Sequence, residues 1–506
     1  MKKISIKLLV LMFTCGVCAT QAVAQNLEDF VNDPQNGASD LQQAVGIAVQ
    51  AICPNLGGFA ATGAQLDLFL RCNELINTAV DLQTPLAPPR SLLITGDELL
   101  AALQNVTGEE LFSQGTLSAR VTNGQFSNIA GRLNALRLGG ASAAMGGRVA
   151  SAGPYSDPDR SSPGYGELSL DSRWLTGGGA AGDADAAGSR VGWFLEGSFN
   201  TGDRDQTASE DGFDFDSISL TLGLDYSLDS GVIGVSVGVD DYDADLVTNA
   251  LVSGGSVEVE GTSGSVFAAL YRGNMYFDGI ISFGSLDSDT SRTAFYTSNN
   301  SNCAPVACPG ENATLTGETD GDYVAAGVTV GYDANRGKWD ISTTLSVAYR
   351  DIEIDGYTES DAAGGGLSLS YADQKIESLR SILGISFTGN FSRNFGILSP
   401  QLRIEWHHEF EDDQTQLVAK YAVEDQLAAQ GVMGAAGAGV FSLVPGECFS
   451  CFLINSDIID TDFALVGIGL SAVFSRRTQI YLTYDALLGL DNLSSNAFSV
   501  GIRGQF

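Results

Sequence analysis

The chain has 506 residues, with 26 Lys and Arg against 61 Asp and Glu and a net charge of −35. Phosphate binding needs clustered cations, so a nucleic-acid partner is excluded. Two histidines in the whole chain leave almost no material for a His-dependent enzyme or a His-ligated metal. With 61 Gly, 12 Pro and only 17% charged residues, the composition points to many strands rather than to disorder.

Lys2, Lys3 and Lys7 precede the apolar run Leu8–Val17, and Ala22-Val23-Ala24 forms an A-x-A cleavage site. This predicts a secretory signal peptide over 1–24, cut between Ala24 and Gln25, since the apolar run is too short to span a bilayer. The cut removes three Lys and no acid, which takes the exported chain to about −38. Six cysteines then remain as three local pairs, Cys53/Cys72, Cys303/Cys308 and Cys448/Cys451. In an exported protein these read as three disulfides. Cys448–Cys451 (CFSC) also fits a redox C-x-x-C or half a zinc site. It has no βαβ context and no second Cys or His pair nearby, so a loop-closing disulfide is preferred.

Residues 25–138 read as a small helical domain. Leu41, Val45, Ala48 and Ile52 share one helix face, and Cys53-Pro54 stops that helix. A second helix is predicted over 64–82, with Leu68, Cys72, Leu75, Ile76 and Ala79 inward, so a Cys53–Cys72 bridge would staple a hairpin. Thr95/Glu98 and Thr107/Glu110 both match the capping box, in which hydroxyl and carboxylate satisfy opposite orphan amides. A third helix after Thr107 carries Leu111, Leu117, Val121, Phe126, Ile129, Leu133 and Leu136. Residues 139–189 follow as a flexible linker, 30 of the 51 being Gly, Ala or Ser.

From residue 190 twelve strands are predicted: about 191–200, 217–228, 231–243, 260–271, 274–288, 320–333, 337–352, 376–391, 395–411, 461–474, 478–490 and 496–506. Ile218, Leu220, Leu222, Leu224 and Tyr226 alternate with Ser219, Thr221, Gly223 and Asp225, and Phe498, Val500, Ile502 and Phe506 with Ser499, Arg503 and Gln505. A soluble sandwich also alternates, so the connections decide the solvent. Tight turns at 229–230, 273, 334–336, 392–394 and 476–477 interleave with long loops, the largest being 412–460. Long loops on one side and short turns on the other give an antiparallel, 12-stranded transmembrane β-barrel with a small α-helical N-terminal domain. A spanning sheet must close, because an open edge leaves amides unpaired in lipid. Acids gather on the long side, while Arg336, Arg393, Arg476 and Arg477 favour the short side.

Residues 190–506 resemble the C-terminal β-domain of the autotransporter (type V secretion) family. The resemblance rests on Trp193–Ser198 (WFLEGS), Leu222–Tyr226 (LGLDY), Tyr276–Asp278 (YFD), Ile354–Glu359 (IDGYTE), Leu402–Phe410 (LRIEWHHEF) and Val500–Phe506 (VGIRGQF), in order over some 300 residues. It implies a Gram-negative outer-membrane barrel among lipid and lipopolysaccharide. The last strand, with Phe498, Val500, Ile502 and Phe506, would be read by the barrel assembly machinery. It also implies a helix in the pore, for which residues 110–137 are the candidate; the alternative is that this helix packs within the small N-terminal domain. The chain departs from the family in its passenger, which is short and helical. The Asn-Asn pair that some members cleave is absent, since Asn123, Asn128 and Asn134 stand singly, so self-cleavage is not expected. Some relatives carry lipase passengers opening Gly-Asp-Ser-Leu, whereas Gly96–Leu99 (GDEL) here lacks the serine.

Elsewhere, His407 and His408 alternate across one strand, so only one can face the lumen. Arg403, Glu405, His407, Glu409 and Arg503 are expected to form a lumenal polar network rather than a metal site. The acidic stretches Asp240–Asp245 and Asp320–Asp322 lack a full calcium loop and read as solvated. Weak Ca²⁺ or Mg²⁺ bridging to lipopolysaccharide stays as the alternative there. The functional expectation is a non-enzymatic barrel that anchors, translocates or displays its helical domain. The rivals are a pore with a periplasmic helical plug and an adhesin working through loops 288–319 and 412–460.

Overall fold

The computed structural model describes residues 26–108, parts of 114–136, and 190–505, with short breaks at 86–87, 208–209, 249–253, 412–413, 433–438, 444–446, 458–459 and 475–477. The predicted signal peptide with Ala24 and Gln25, the linker 139–189 and the terminal Phe506 lie outside the described residues.

Twelve antiparallel strands form the barrel: β1 (Val191–Arg204), β2 (Phe213–Leu228), β3 (Gly231–Leu246), β4 (Gly255–Arg272), β5 (Met275–Thr297), β6 (Gly310–Arg336), β7 (Trp339–Ile354), β8 (Gln374–Gly389), β9 (Gly396–Glu409), β10 (Asp462–Phe474), β11 (Thr478–Leu488) and β12 (Leu493–Gln505). Each pairs with its sequence neighbours, and β1 pairs with β12 from Gly192↔Gln505 to Arg204↔Leu493. The sheet is closed. Among the described residues no helix is long and apolar enough to cross a membrane. The strands do so instead.

Side-chain parity is continuous along each strand, but the chemistry of its two faces is not. At the short-turn end of β2, Ile218, Leu220, Leu222, Leu224 and Tyr226 point outward and are exposed, while Ser219, Thr221 and Asp225 are buried inward. Toward the long-loop end the assignment inverts. Asp214 and Asp216 face outward, and Phe213 and Phe215 inward. The switch recurs in β3 and β4, where outward Asp241, Asp243, Asp245, Glu258 and Glu260 back inward Tyr242, Ala244, Leu246, Val257 and Val259. An apolar exterior is favourable only against lipid and an apolar interior only against water, so the switch marks the membrane surface. Exposed aromatics edge the apolar band at both ends: Tyr226, Phe277, Tyr332, Trp339 and Phe395 at one, Phe199, Phe283, Trp406, Tyr484 and Phe498 at the other.

Two expectations need correcting. Residues 288–319 are not a loop, because β5 runs to Thr297 and β6 starts at Gly310. The inward row continues as Thr290, Arg292, Ala294 and Tyr296, all buried beneath the helical domain. The stretch 412–460 contains the strands Gln416–Tyr421 and Phe452–Asn455 and a helix at Val423–Ala429. With Leu369–Tyr371 those strands form a second, three-stranded sheet.

The helical domain caps the long-loop end. It comprises α1 (Leu27–Asn32), α2 (Asp40–Ile52), α3 (Gly63–Gln83) and α4 (Gly96–Gln104), of which α1 has no counterpart among the predicted helices. Capping boxes at Ser39/Gln42 and Thr95/Glu98 start α2 and α4, and the Thr95 amide holds the Glu98 carboxyl below its ordinary range. Thr107 Oγ1 donates to the Gln104 carbonyl at 2.6 Å, and Glu110 of the second predicted box lies outside the described residues. Disulfides join Cys53–Cys72, Cys303–Cys308 and Cys448–Cys451, with Cα separations of 5.9, 5.7 and 5.6 Å. One continuous core holds Val45, Ile52, Leu75 and Leu103 of the cap together with Tyr296 of β5 and Leu369, Tyr421 and Phe452 of the barrel's outer loops.

Leu222→Arg places a charge in the middle of the apolar band and is expected to cost about 2–4 kcal/mol. Asp243→Leu, above the band, should stay within about 0.5 kcal/mol. Denaturant titration of folding into lipid vesicles measures both.

Candidate functional site: a half-filled lumen

Past Gly108 the described residues are helical at 114–116 and 124–134, and we call the second stretch, inside the barrel, α5. Gly108 has φ +73° and lies against the Tyr371 hydroxyl and Arg292, so no Cβ fits at this neck. Arg292 and Glu359 close the neck with two parallel bonds, 2.6 Å from Nε and 2.7 Å from Nη2, and Tyr371 Oη donates to the same carboxylate at 3.1 Å.

One face of α5 docks on β1–β3 through polar groups at positions 125, 128 and 132, the i, i+3, i+7 spacing of a single helix stripe. Gln125 Nε2 donates to Asp240 at 3.0 Å and Asn128 Nδ2 to Thr221 Oγ1 at 2.8 Å, while Thr221 donates back to Gln125 Oε1 at 2.8 Å. Arg132 donates through Nε to Asp225 at 3.0 Å and through Nη2 to the same oxygen, with its guanidinium over the Phe194 ring. Both charges of the Arg132–Asp225 pair are buried. Glycines make the slot: a Cβ at Gly238 would collide with Gln125, one at Gly327 with Phe126, and Gly131 of the helix faces the Glu196 carboxylate. Ile129, Leu133 and Leu136 fill the short-turn end against Phe194, Val232, Phe267 and Ile280.

The opposite side of the lumen is open. A cavity of about 590 Å³ separates the exposed face of α5, with Ser127 and Ala130, from the inner walls of β7–β11. On that wall Arg403 bonds Asp485 at 2.8 Å and lies 3.6 Å from Glu405. His407 Nε2 is 3.2 Å from Glu405, and its ring stacks on Phe463 at 4.8 Å. Glu409 accepts from Ser378 Oγ at 2.7 Å and from Arg380 Nη2 at 3.2 Å. Arg503 faces inward on β12, opposite Phe194 and Gln479. The structure therefore brings Arg403, Glu405, His407 and Glu409 onto one lumenal wall, and holds Arg503 nearer the helix. His408 points outward to Asp462. Sequence reading missed the stripe on α5 and its strand partners. A polar residue every turn on an apolar helix was the available signal.

Two further ion clusters fasten the outer loops. Glu74 of α3 is fully buried and accepts from Arg90 (2.7 Å), Arg71 (2.9 Å) and the Tyr296 hydroxyl of β5 (2.9 Å). Burial pushes its carboxyl above the ordinary range, while the neighbouring Arg71, Tyr296 and Arg90 pull it back. Arg71 also pairs with Glu311 at 2.7 Å, so cap and β6 share the network. Arg204 bonds Glu210 at 2.8 Å and Asp457 at 3.0 Å, tying the first outer loop to the loop between β9 and β10. Burial raises the Glu210 carboxyl too, against the pull of Arg204. Outside the barrel the carboxylates of Asp241, Asp243 and Glu258 lie within 4.8 Å of one another and are exposed.

Residues 193–444 match the family model of the autotransporter beta-domain. The barrel belongs to that family. It is therefore an outer-membrane barrel of a Gram-negative envelope, with short turns toward the periplasm and long loops outside. The chain is similar to the esterase EstA of Pseudomonas aeruginosa, 30% identical over 220 residues that make up 42% of this chain and 30% of the esterase. It is similar to a Pseudomonas putida protein of the trpE-trpG intergenic region at 27% over 39% of this chain and 30% of that one. It thus spans about a third of these relatives' own length. Among solved structures it is similar to the translocator domain of the autotransporter NalP from Neisseria meningitidis (12% identity, TM-score 0.44, covering 64% of this chain and 90% of that one).

Arg132→Ala leaves Asp225 buried without its cation and is expected to cost about 3–5 kcal/mol. It should lower the temperature at which the compact, SDS-resistant band of the autotransporter barrel converts to the unfolded one. Adding Asp225→Ala should recover most of the loss, because neither charge is then stranded.

Proposed function

We propose that this protein anchors a permanently attached helical cap at the cell surface, with α5 holding the chain through the barrel, and that it carries out no catalysis. The observation that carries the reading is the continuous core shared by α1–α4 and the barrel's outer loops. A passenger destined for release would be expected to complete its core without the barrel. The neck at Gly108, the stripe on α5 and the Glu74 cluster all support retention rather than passage.

The non-enzymatic part of the reading rests on chemistry. Both histidines lie in β9, and each already has a carboxylate neighbour, Glu405 for His407 and Asp462 for His408. No Ser/His/Asp arrangement is therefore available to the cap. The likeness to an esterase lies in the barrel region and lends the cap no hydrolase residues.

Cysteine labelling of intact cells with a membrane-impermeant maleimide tests the display. Phe59→Cys, on the exposed face of the cap, should react on intact cells. Asn274→Cys, in the β4–β5 turn, should react only after the outer membrane is opened. The reverse pattern would mean a periplasmic plug. The purified protein is expected to leave short-chain p-nitrophenyl esters at their uncatalysed rate.

A further inference from the structure

The described residues include sixteen cationic side chains. Ten of them lie within 4.0 Å of a carboxylate, and Arg350 and Arg503 face the lumen. The remaining four are Arg272, Arg336, Lys338 and Arg393. All four are exposed, form no ion pair among the described residues, and sit at the periplasmic rim in three consecutive short turns, β4–β5, β6–β7 and β8–β9. In a chain with 61 acids this segregation is not a matter of supply.

Their setting is equally one-sided. Arg272 follows the outward Leu270 on β4, and Arg336 follows the outward Tyr332 on β6. Arg336 is directly opposite the exposed Trp339, and the Arg393 guanidinium lies over the Phe391 ring at 5.8 Å. The nearby acids are turned away: Asp278 and Asp340 point into the barrel, and Asp229 at the rim is taken by Arg190 at 3.0 Å. The four cations therefore project just below an aromatic girdle, where the headgroups of the inner leaflet lie. Such a place favours a partner with an apolar tail and an anionic head.

We infer that the periplasmic rim formed by Arg272, Arg336, Lys338 and Arg393 is a binding surface for anionic phospholipid headgroups of the inner leaflet. Guanidinium groups bind phosphate in paired bonds, and the adjoining Trp339, Phe391 and Phe395 rings lie where the glycerol backbone and upper acyl chains would rest. The outer side of β2–β5 has the opposite sign, with Asp216, Asp243, Glu258 and Asp287 exposed, so the two leaflets meet opposite charges. The inference goes beyond surface display and does not depend on it.

The test uses the folded full-length chain in vesicles, with Trp174→Phe, Trp193→Phe and Trp406→Phe so that Trp339 is the only reporter. Quenching by brominated phosphatidylglycerol is compared with quenching by brominated phosphatidylcholine at low ionic strength. The anionic lipid should associate several-fold more strongly, and the preference should fall by up to about fivefold per cation as Arg272, Arg336, Lys338 and Arg393 are changed to Gln. Unchanged heat-modifiability of the Gln variants shows that the barrel still folds. Inorganic phosphate at tens of millimolar should not compete, whereas full competition would assign the rim to soluble anions and overturn the lipid reading. Equal quenching by both lipids, or a preference that survives all four substitutions, also overturns it. Should the lipid preference be absent while the Gln variants fail to assemble in cells, the rim belongs to a protein partner instead.

Discussion

Closure of β1 onto β12 is the constraint from which the rest follows. In hydrocarbon every backbone amide must find a partner within the sheet, and a twelve-stranded sheet does this only as a cylinder. Once closed, the cylinder has a dry outside and an enclosed inside, and strict parity distributes side chains between them. The apolar band, the lumenal ladder and the charged loops are three consequences of that division. The inversion along β2–β4 shows that parity belongs to the backbone and hydrophobicity to the surroundings. The same strand reads Leu-out at one level and Phe-in at another without a bulge or a slip.

Cations are scarce in this chain, and most of the described ones join parts that are distant in sequence. Arg132 links the helix to β2, Arg292 links β5 to the loop after β7, Arg71 links the cap to β6, and Arg204 links the first outer loop to the β9–β10 loop. Each is partly or fully shielded from water, where losing one partner is costly although the intact pair adds little net stability. These pairs act as registers. They select one arrangement of the loops from among many that would bury similar apolar area.

Much of this architecture is legible in the residues. The twelve strands emerge from alternation between two unlike solvents, and the alternation of short and long connections orients them. Legibility fails where the solvent changes. Above the membrane, Asp289, Glu311 and Glu318 make the outer ends of β5 and β6 read as an acidic loop, although Leu286, Thr290, Ala294 and Tyr296 keep the inward parity. The inward row on β9 could be placed from the strand period, because Arg403, Glu405, His407 and Glu409 are two residues apart. The dock of α5 could not. Its partners stand 93 to 115 residues away, and only the closed barrel brings Asp225 and Asp240 beneath one helix face.

The shared core also dictates where the cap can become stable. Val45, Ile52 and Leu103 share one buried cluster with Leu369, Tyr421 and Phe452 of the barrel's outer loops. Without those loops, residues 26–107 would leave part of the shared core uncovered and Glu74 without the Tyr296 hydroxyl, so the cap completes its packing only against the barrel. On the reading of a displayed cap proposed above, the segment gains its final rigidity only where it meets those loops, at the outer end of the barrel that anchors it.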